Sequence, residues 1–193
     1  MEALSDLYIS IINFLTEIST YSVIFNCLLI VFESIIPILP LSLFITVLFI
    51  NYGSFLGFII SWIFTVIGCV LSFYLFQTVF QKIVERKVRN HKNFDKLLSI
   101  IDNISFSGLV SIVAMPFTPA FLVNIVAGIS KMNIKKFLFA MMIGKISLII
   151  FWGYIGTTLI ESLKHPIELI KVVILVVLAY FISKFINKKY NLD

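Results

Sequence analysis

The chain has 193 residues, of which 60% are hydrophobic and 13% are charged, and its mean hydropathy is +1.08. A soluble globular domain is about 45–50% apolar and about 25% charged. This composition excludes a water-soluble domain, a disordered chain and a nucleic-acid-binding protein. The excess apolar surface must face lipid, and the length leaves room for one membrane domain. Because strict alternation of apolar and polar residues is missing, the predicted fold class is an all-α polytopic membrane protein.

Positive charge is unevenly distributed along the chain. Residues 1–81 contain no Lys or Arg, whereas cations cluster at 82–96, 131–136 and 184–189, each time beside an apolar run. The positive-inside rule places such clusters on the cytoplasmic side. We therefore expect a multi-pass cell-membrane protein whose basic loop and C-terminal tail, residues 187–193, face the cytoplasm.

The apolar segments predict an order of elements. An amphipathic helix, which crosses the membrane or lies on it, comes first, followed by two proline-broken segments and three long apolar helices. Their predicted bounds are 1–20 (amphipathic helix), 21–51 (first hairpin), 53–80 (transmembrane helix), 81–103 (basic loop), 104–130 (second hairpin), 133–160 (transmembrane helix) and 167–186 (transmembrane helix).

Proline pairs interrupt both broken segments. Pro37 and Pro40 break the first, and Pro116 and Pro119 break the second, 79 residues further on. Each proline removes a backbone donor and disfavours helix at the preceding residue. The cations on both sides of the second segment place its two ends on the cytoplasmic side, and the absence of cations around the first segment places its two ends outside, which predicts two inverted re-entrant hairpins. Broken helices in inverted repeats are typical of secondary transporters; the alternative is that the two proline pairs occur by chance.

These motifs resemble the DedA/VTT-domain family, also called the SNARE-associated Golgi protein family, over roughly residues 21–160. The first signature is Glu33-x-x-x-Pro37-x-x-Pro40, and the second is Pro116-Phe117-Thr118-Pro119 followed by Val123-Asn124 and Ala127-Gly128. The resemblance implies opposed re-entrant hairpins packed among membrane helices. It also implies the movement of phospholipid or a polyprenyl-phosphate carrier lipid between leaflets. Many members carry arginine where this chain has Val113 and Gln77.

Polar residues inside the apolar runs are the candidate site. Charged side chains are costly at membrane depth, so Glu33 is a functional candidate; alternatively it accepts hydrogen bonds from backbone freed at the hairpin tip. Three alternative roles are open for Lys145. It neutralises Glu33, it attracts a lipid phosphate, or its side chain extends toward the cytoplasm. Thr118 and Asn124 line a cavity or satisfy broken backbone. The predicted pathway for substrate or ion also includes Pro37, Pro40, Pro116, Pro119 and Gly128.

Enzymatic chemistry is not expected. The sequence has no Ser/His/Asp set, metal-ligand cluster or Gly-rich phosphate loop, so no catalytic residue, metal or cofactor is predicted, and Cys27 and Cys69 are predicted core thiols. The expected function is a flippase- or scramblase-like lipid transporter. The alternatives are an ion-coupled transporter of a small solute and a non-transporting membrane scaffold. The expected partners are membrane lipids, through an anionic headgroup or lipid phosphate, and no nucleic acid; a homo-oligomer is a further option.

Overall fold

The computed structural model describes residues 23–36, 40–80, 103–117, 120–130, 132–162 and 168–189. This part of the chain is helical, which confirms the predicted all-α class. The helices are α1 (Val23–Ile35), α2 (Leu41–Leu75) with a π-helical extension (Phe76–Phe80), α3 (Phe106–Ala114), α4 (Ala120–Ile129), α5 (Ile134–Glu161) and α6 (Glu168–Lys189). The predicted amphipathic helix, residues 81–102 of the basic loop, and Pro37, Thr118 and Pro119 lie outside these ranges.

Three of the described helical stretches are long and apolar enough to cross a membrane: Leu41–Thr78, Ile134–Glu161 and Leu169–Ile186. Their outer surfaces carry many large apolar side chains, such as Phe55, which is 76% exposed, and Phe185, which is 72% exposed. A water-soluble protein rarely exposes so much contiguous apolar surface. The architecture is therefore that of a helical membrane protein.

Helix α2 reverses direction at Gly53 and consists of two arms, residues 41–52 and 54–75. Gly53 has φ 74° and ψ 169°, a conformation that only glycine adopts readily. A side chain on Gly57 would lie 2.8 Å from the Cα atom of Phe49, and Trp62 packs on the cluster that contains Ile45. Residues on the two sides of Gly53 thus contact each other in pairs that lie progressively further from Gly53 in the sequence. The two arms therefore pack antiparallel.

Helix α5 is the element on which the broken segments pack. Its first half contacts α3, where a side chain on Gly144 would lie 2.8 Å from the Cβ atom of Val113. Its second half contacts the first arm of α2, where Gly156 lies against the side chain of Thr46. Small residues at these crossings let helix backbones approach closely, as is usual in membrane bundles. The largest buried cluster in the described residues joins the second arm of α2 to α3, α4 and α5 around Phe73 and Phe137, whose rings are 4.8 Å apart.

Candidate functional site

The end of α1 and the middle of α4 are connected by a buried amide. Asn124 is 1% exposed, and its Nδ2 donates to the backbone oxygen of Ser34 at 3.2 Å and to the Sγ atom of Cys69 at 3.6 Å. Ser34 in turn lies against Gly68 in the second arm of α2. This contact brings the two proline-broken segments together, although they are far apart in the sequence.

A cavity of about 330 Å³ lies where the two broken segments meet α5. Its volume is at the low end of the range for small-molecule sites, roughly 300–1,000 Å³. The wall combines apolar side chains with a few polar and charged ones contributed by α1, the start of α2, the α3–α4 connection, α4 and α5. The lining residues are Glu33, Ser34, Pro40, Leu41, Ser42, Pro116, Phe121, Asn124, Lys145, Leu148 and Trp152.

Two opposite charges belong to this wall. Lys145 is 2% exposed and is the one charged residue that is fully buried in the described part of the chain. Glu33 is only partly buried, and Lys145 is close enough to exert a Coulombic attraction on its carboxylate. Charges inside an apolar bundle are costly unless they are paired or face a polar cavity. Gly144, next to Lys145 in α5, packs directly on Val113 of α3, so this part of α5 lies inside the bundle.

The side chain of Asn124 has an unsatisfied hydrogen-bond acceptor. A backbone carbonyl only accepts, so the Asn124 amide must turn Nδ2 toward Ser34, which leaves Oδ1 free. That Oδ1 atom is buried and has no hydrogen-bond partner. A buried polar atom normally finds a partner, so this unpaired Oδ1 is an exception, and its burial means that it is not exposed to the cavity.

Five of the residues predicted from the sequence meet at the cavity: Glu33, Pro40, Pro116, Asn124 and Lys145. Gly128 does not line it and instead packs against the second arm of α2, where a side chain would lie 2.6 Å from the carbonyl oxygen of Phe73. Sequence reasoning missed Phe121 and Trp152, since aromatic residues in apolar helices look like core. It also missed Ser34, which its position directly after Glu33 could have indicated. No metal-binding group of His, Cys, Asp or Glu occurs in the described residues.

The described residues form an all-helical fold with three candidate spans, and a charged cavity lies between the broken helices. These features define a polytopic membrane protein. Residues 36–158 match the VTT domain, and the chain belongs to this family, the DedA/VTT membrane proteins. This confirms the family assignment made from the proline motifs.

Related proteins occur in bacteria and fungi. The chain is 28% identical over 156 residues to "Uncharacterized membrane protein YhjE" of Bacillus subtilis (strain 168), a match that covers 81% of this chain and 75% of the relative. It is 31% identical over 112 residues to "Golgi apparatus membrane protein TVP38" of Eremothecium gossypii, covering 57% and 36% of the two chains. No solved structure matches the chain.

Proposed function

We propose that this protein moves lipids between membrane leaflets, in the manner of a flippase or scramblase, with the headgroup passing through the cavity. The observation that carries the proposal is the placement of Glu33, Asn124 and Lys145 around one cavity at the ends of broken helices. A headgroup cannot cross hydrocarbon without a polar route. The two lipids that the family resemblance suggests are a phospholipid and a polyprenyl-phosphate carrier.

The course of the second broken segment supports this proposal. The Lys136 ammonium, near the start of α5, donates to the backbone oxygen of Ile104, whereas Val113 lies against Gly144 in the middle of α5. Helix α3 therefore runs alongside the first half of α5 in the same direction. After α4, Met132 leads back into the start of α5. If α5 spans the membrane, this segment enters to about mid-depth and returns to the side from which it came.

The first broken segment has a corresponding course. Ser34, at the end of α1, lies against Gly68 in the middle of the second arm of α2, and the first arm leads back to Gly53 at the start of that second arm. If the second arm spans the membrane, this segment is also re-entrant. The cavity then lies near the midplane, where both tips meet. Such a site between inverted broken helices suits a transporter that alternates between leaflets.

The size and polarity of the cavity support a headgroup as the ligand. A volume of about 330 Å³ can hold a phosphate ester but leaves no room for acyl chains. The chains would remain in the bilayer, against the exposed apolar side chains of the helices. Lys145 would attract the phosphate, and Glu33 would keep the empty site close to neutral. In this proposal the protein lies in the cell membrane with its basic loop and C-terminal tail in the cytoplasm.

Lipid translocation in proteoliposomes that contain only this protein tests the proposal. Acyl-labelled phospholipids are placed in both leaflets, and a membrane-impermeant quencher reports the fraction that reaches the outer leaflet. Half of the labelled lipid lies in the outer leaflet at the start. We expect the quencher to remove more than half of the fluorescence when the protein is present, and no more than half in protein-free vesicles. Equal quenching in the two preparations, for phospholipids and for a polyprenyl phosphate, would reject lipid transport.

A further inference from the structure

We propose that the interface between α1 and the second arm of α2 opens to water during the working cycle and becomes a polar path from the cavity toward the turn at Gly53. Three buried side chains in this interface, Asn26, Ser61 and Thr65, form what we call the polar seam. This inference rests on the proposed function and names the route by which a headgroup leaves the cavity on that side. It follows from the burial of the polar seam without hydrogen-bond partners.

The second arm of α2 contributes the two hydroxyl groups of the polar seam. Ser61 and Thr65 are four residues apart, and at 3.6 residues per turn both point within about 60° of Gly68 on the helix surface. Each is 0% exposed, and neither hydroxyl has a hydrogen-bond partner. Cys69 and Ser72 continue the same buried face beyond Gly68. The second arm therefore presents a polar face to the inside of the bundle.

Helix α1 covers this face and runs in the same direction as the second arm. Ser34, near the end of α1, lies against Gly68. Ile30, one turn earlier, belongs to a buried cluster on which Phe64 packs, and Phe64 is nearer than Gly68 to the start of the arm. Asn26, one further turn back, is therefore level with the hydroxyl groups of the polar seam. Its side chain is 4% exposed, and its Oδ1 has no hydrogen-bond partner.

Unpaired hydroxyl groups weaken the closed interface. Elsewhere in the described helices, hydroxyl side chains such as Thr46, Thr78 and Thr157 donate to a backbone oxygen one turn earlier in their own helix. Ser61 and Thr65 do not. A buried polar group without a partner costs free energy, whereas water satisfies it once the interface opens. The polar seam therefore lowers the free energy needed to separate α1 from the second arm.

The polar seam leads from the cavity toward one end of the bundle. Ser34 lines the cavity and lies against Gly68, so the seam begins at the cavity wall. Ser61 is seven residues from Gly68, about 10 Å along the helix, in the direction of the turn at Gly53. A polar headgroup needs a polar path through hydrocarbon. When α1 moves away, the amide and the two hydroxyl groups supply that path on the Gly53 side.

The native thiol of Cys69 reports this opening, because it is 0% exposed and lies on the same face as the polar seam. Cys27→Ala protein is reconstituted, and modification of Cys69 by a small charged methanethiosulfonate is followed by mass spectrometry. We expect slow but complete modification, since the reagent cannot reach the thiol in the closed bundle. No modification of Cys69 would overturn the inference.

A second buried thiol controls for unfolding of the whole protein. Val113→Cys is made in protein in which Cys27 and Cys69 are both replaced by Ala. Val113 is 1% exposed and packs between α3 and α5, away from the polar seam. The thiol at position 113 should remain unmodified. Modification there as fast as at Cys69 would show that the reagent enters by general unfolding, which would overturn the inference.

Variants without a seam hydroxyl link the opening to the polar seam. Thr65→Val keeps the side-chain shape and removes the unpaired hydroxyl, so the closed interface becomes more stable. We expect the midpoint of thermal unfolding to rise by about 2–4 °C, while Cys69 modification and phospholipid translocation each slow about fivefold. Ser61→Ala should change all three in the same direction. Thr157→Val is the matched control, because that hydroxyl is bonded within its own helix, and it should slow neither process.

The readouts separate this inference from lipid transport. If the wild type translocates lipid, and neither Thr65→Val nor Ser61→Ala slows Cys69 modification or translocation, the opening is overturned and lipid transport stands. If both variants slow Cys69 modification but the wild type translocates no lipid, the opening stands and the lipid-transport proposal fails. A lower midpoint of unfolding in both variants would show that the hydroxyl groups stabilise the closed interface, which would also overturn the inference.

Discussion

Asn124 donates from its side chain to the backbone oxygen of Ser34 at 3.2 Å, across 90 residues of sequence. Ser34 is at the end of α1 and Asn124 is within α4, so this single bond joins the two proline-broken segments. The same amide also donates to Cys69 in the second arm of α2. One side chain of α4 thus bonds both to α1 and to the second arm of α2.

The first prediction concerns this amide. Asn124→Ala should destabilise the folded protein by about 1 kcal/mol, because hydrogen bonds between membrane helices contribute on that order. Asn124→Asp should cost more, since a carboxylate would face the Ser34 carbonyl without a donor. The measurement is thermal unfolding in detergent at matched protein concentration.

Ser34→Ala is the control for this prediction. The Ser34 hydroxyl donates to Ile30 within its own helix, so the substitution leaves the carbonyl that Asn124 uses. The control should change the midpoint of unfolding less than Asn124→Ala does. A midpoint for Asn124→Ala equal to that of the wild type would show that the bond between the segments contributes nothing to stability.

The second prediction concerns the chain reversal at Gly53. Substitution by Ala or Asn should destabilise the protein by about 1–3 kcal/mol, because φ 74° with ψ 169° is a region that only glycine tolerates. Crowding would not be the cause, since a Cβ atom at Gly53 meets nothing within 4 Å. Thermal unfolding again measures the effect. The control is Ser54→Ala at the neighbouring exposed residue, which should leave the stability nearly unchanged. An unchanged stability in Gly53→Ala would contradict a strained turn.

Local chemistry explains why parts of this structure could be predicted from the sequence. Proline restricts the backbone wherever it occurs, so the breaks at Pro40 and Pro116 follow from the residues themselves. Glu33 and Lys145 stand out because a charge within an apolar run is costly in any membrane fold. These four residues do meet at one cavity.

Packing explains why other parts could not. The bond between Asn124 and Ser34 depends on how segments 90 residues apart are assembled, and hydropathy carries no information about that. Gly128 belongs to the same motif as Asn124, yet it provides a close contact with Phe73 rather than a wall of the cavity. The lining residue Trp152 has the composition of ordinary core. The re-entrant hairpins and the inverted repeat stay predictions.

The third prediction concerns orientation. Both native cysteines are buried and should react slowly with a polar maleimide, so single cysteines can be introduced as reporters. His91→Cys in the basic loop and Lys188→Cys near the C-terminus should be labelled in inside-out vesicles and protected in intact cells, because cationic segments remain cytoplasmic. Tyr52→Cys, beside the turn at Gly53, should show the opposite pattern. Labelling of position 91 from outside intact cells would contradict this orientation.

The last prediction concerns the charges at Glu33 and Lys145. Glu33→Gln and Lys145→Met each leave one uncompensated charge beside the cavity, and an unpaired charge in an apolar bundle is expensive. We expect each variant to insert and fold but to translocate phospholipid at least about tenfold more slowly, since the headgroup then meets an unbalanced site. The double variant restores neutrality and should be less impaired than the two single losses combined.

Fluorescent-lipid translocation by all four forms at matched protein levels measures this cycle. Lys135→Met is the control, because Lys135 is exposed at the start of the same helix, away from the cavity; it should translocate as the wild type does. Additive losses in the double variant would show that Glu33 and Lys145 act independently. Normal translocation by Glu33→Gln with unchanged thermal stability would remove Glu33 from the pathway. If Glu33→Gln instead failed to fold while Lys145→Met folded, Glu33 would have the structural role of holding the tip of the first broken segment.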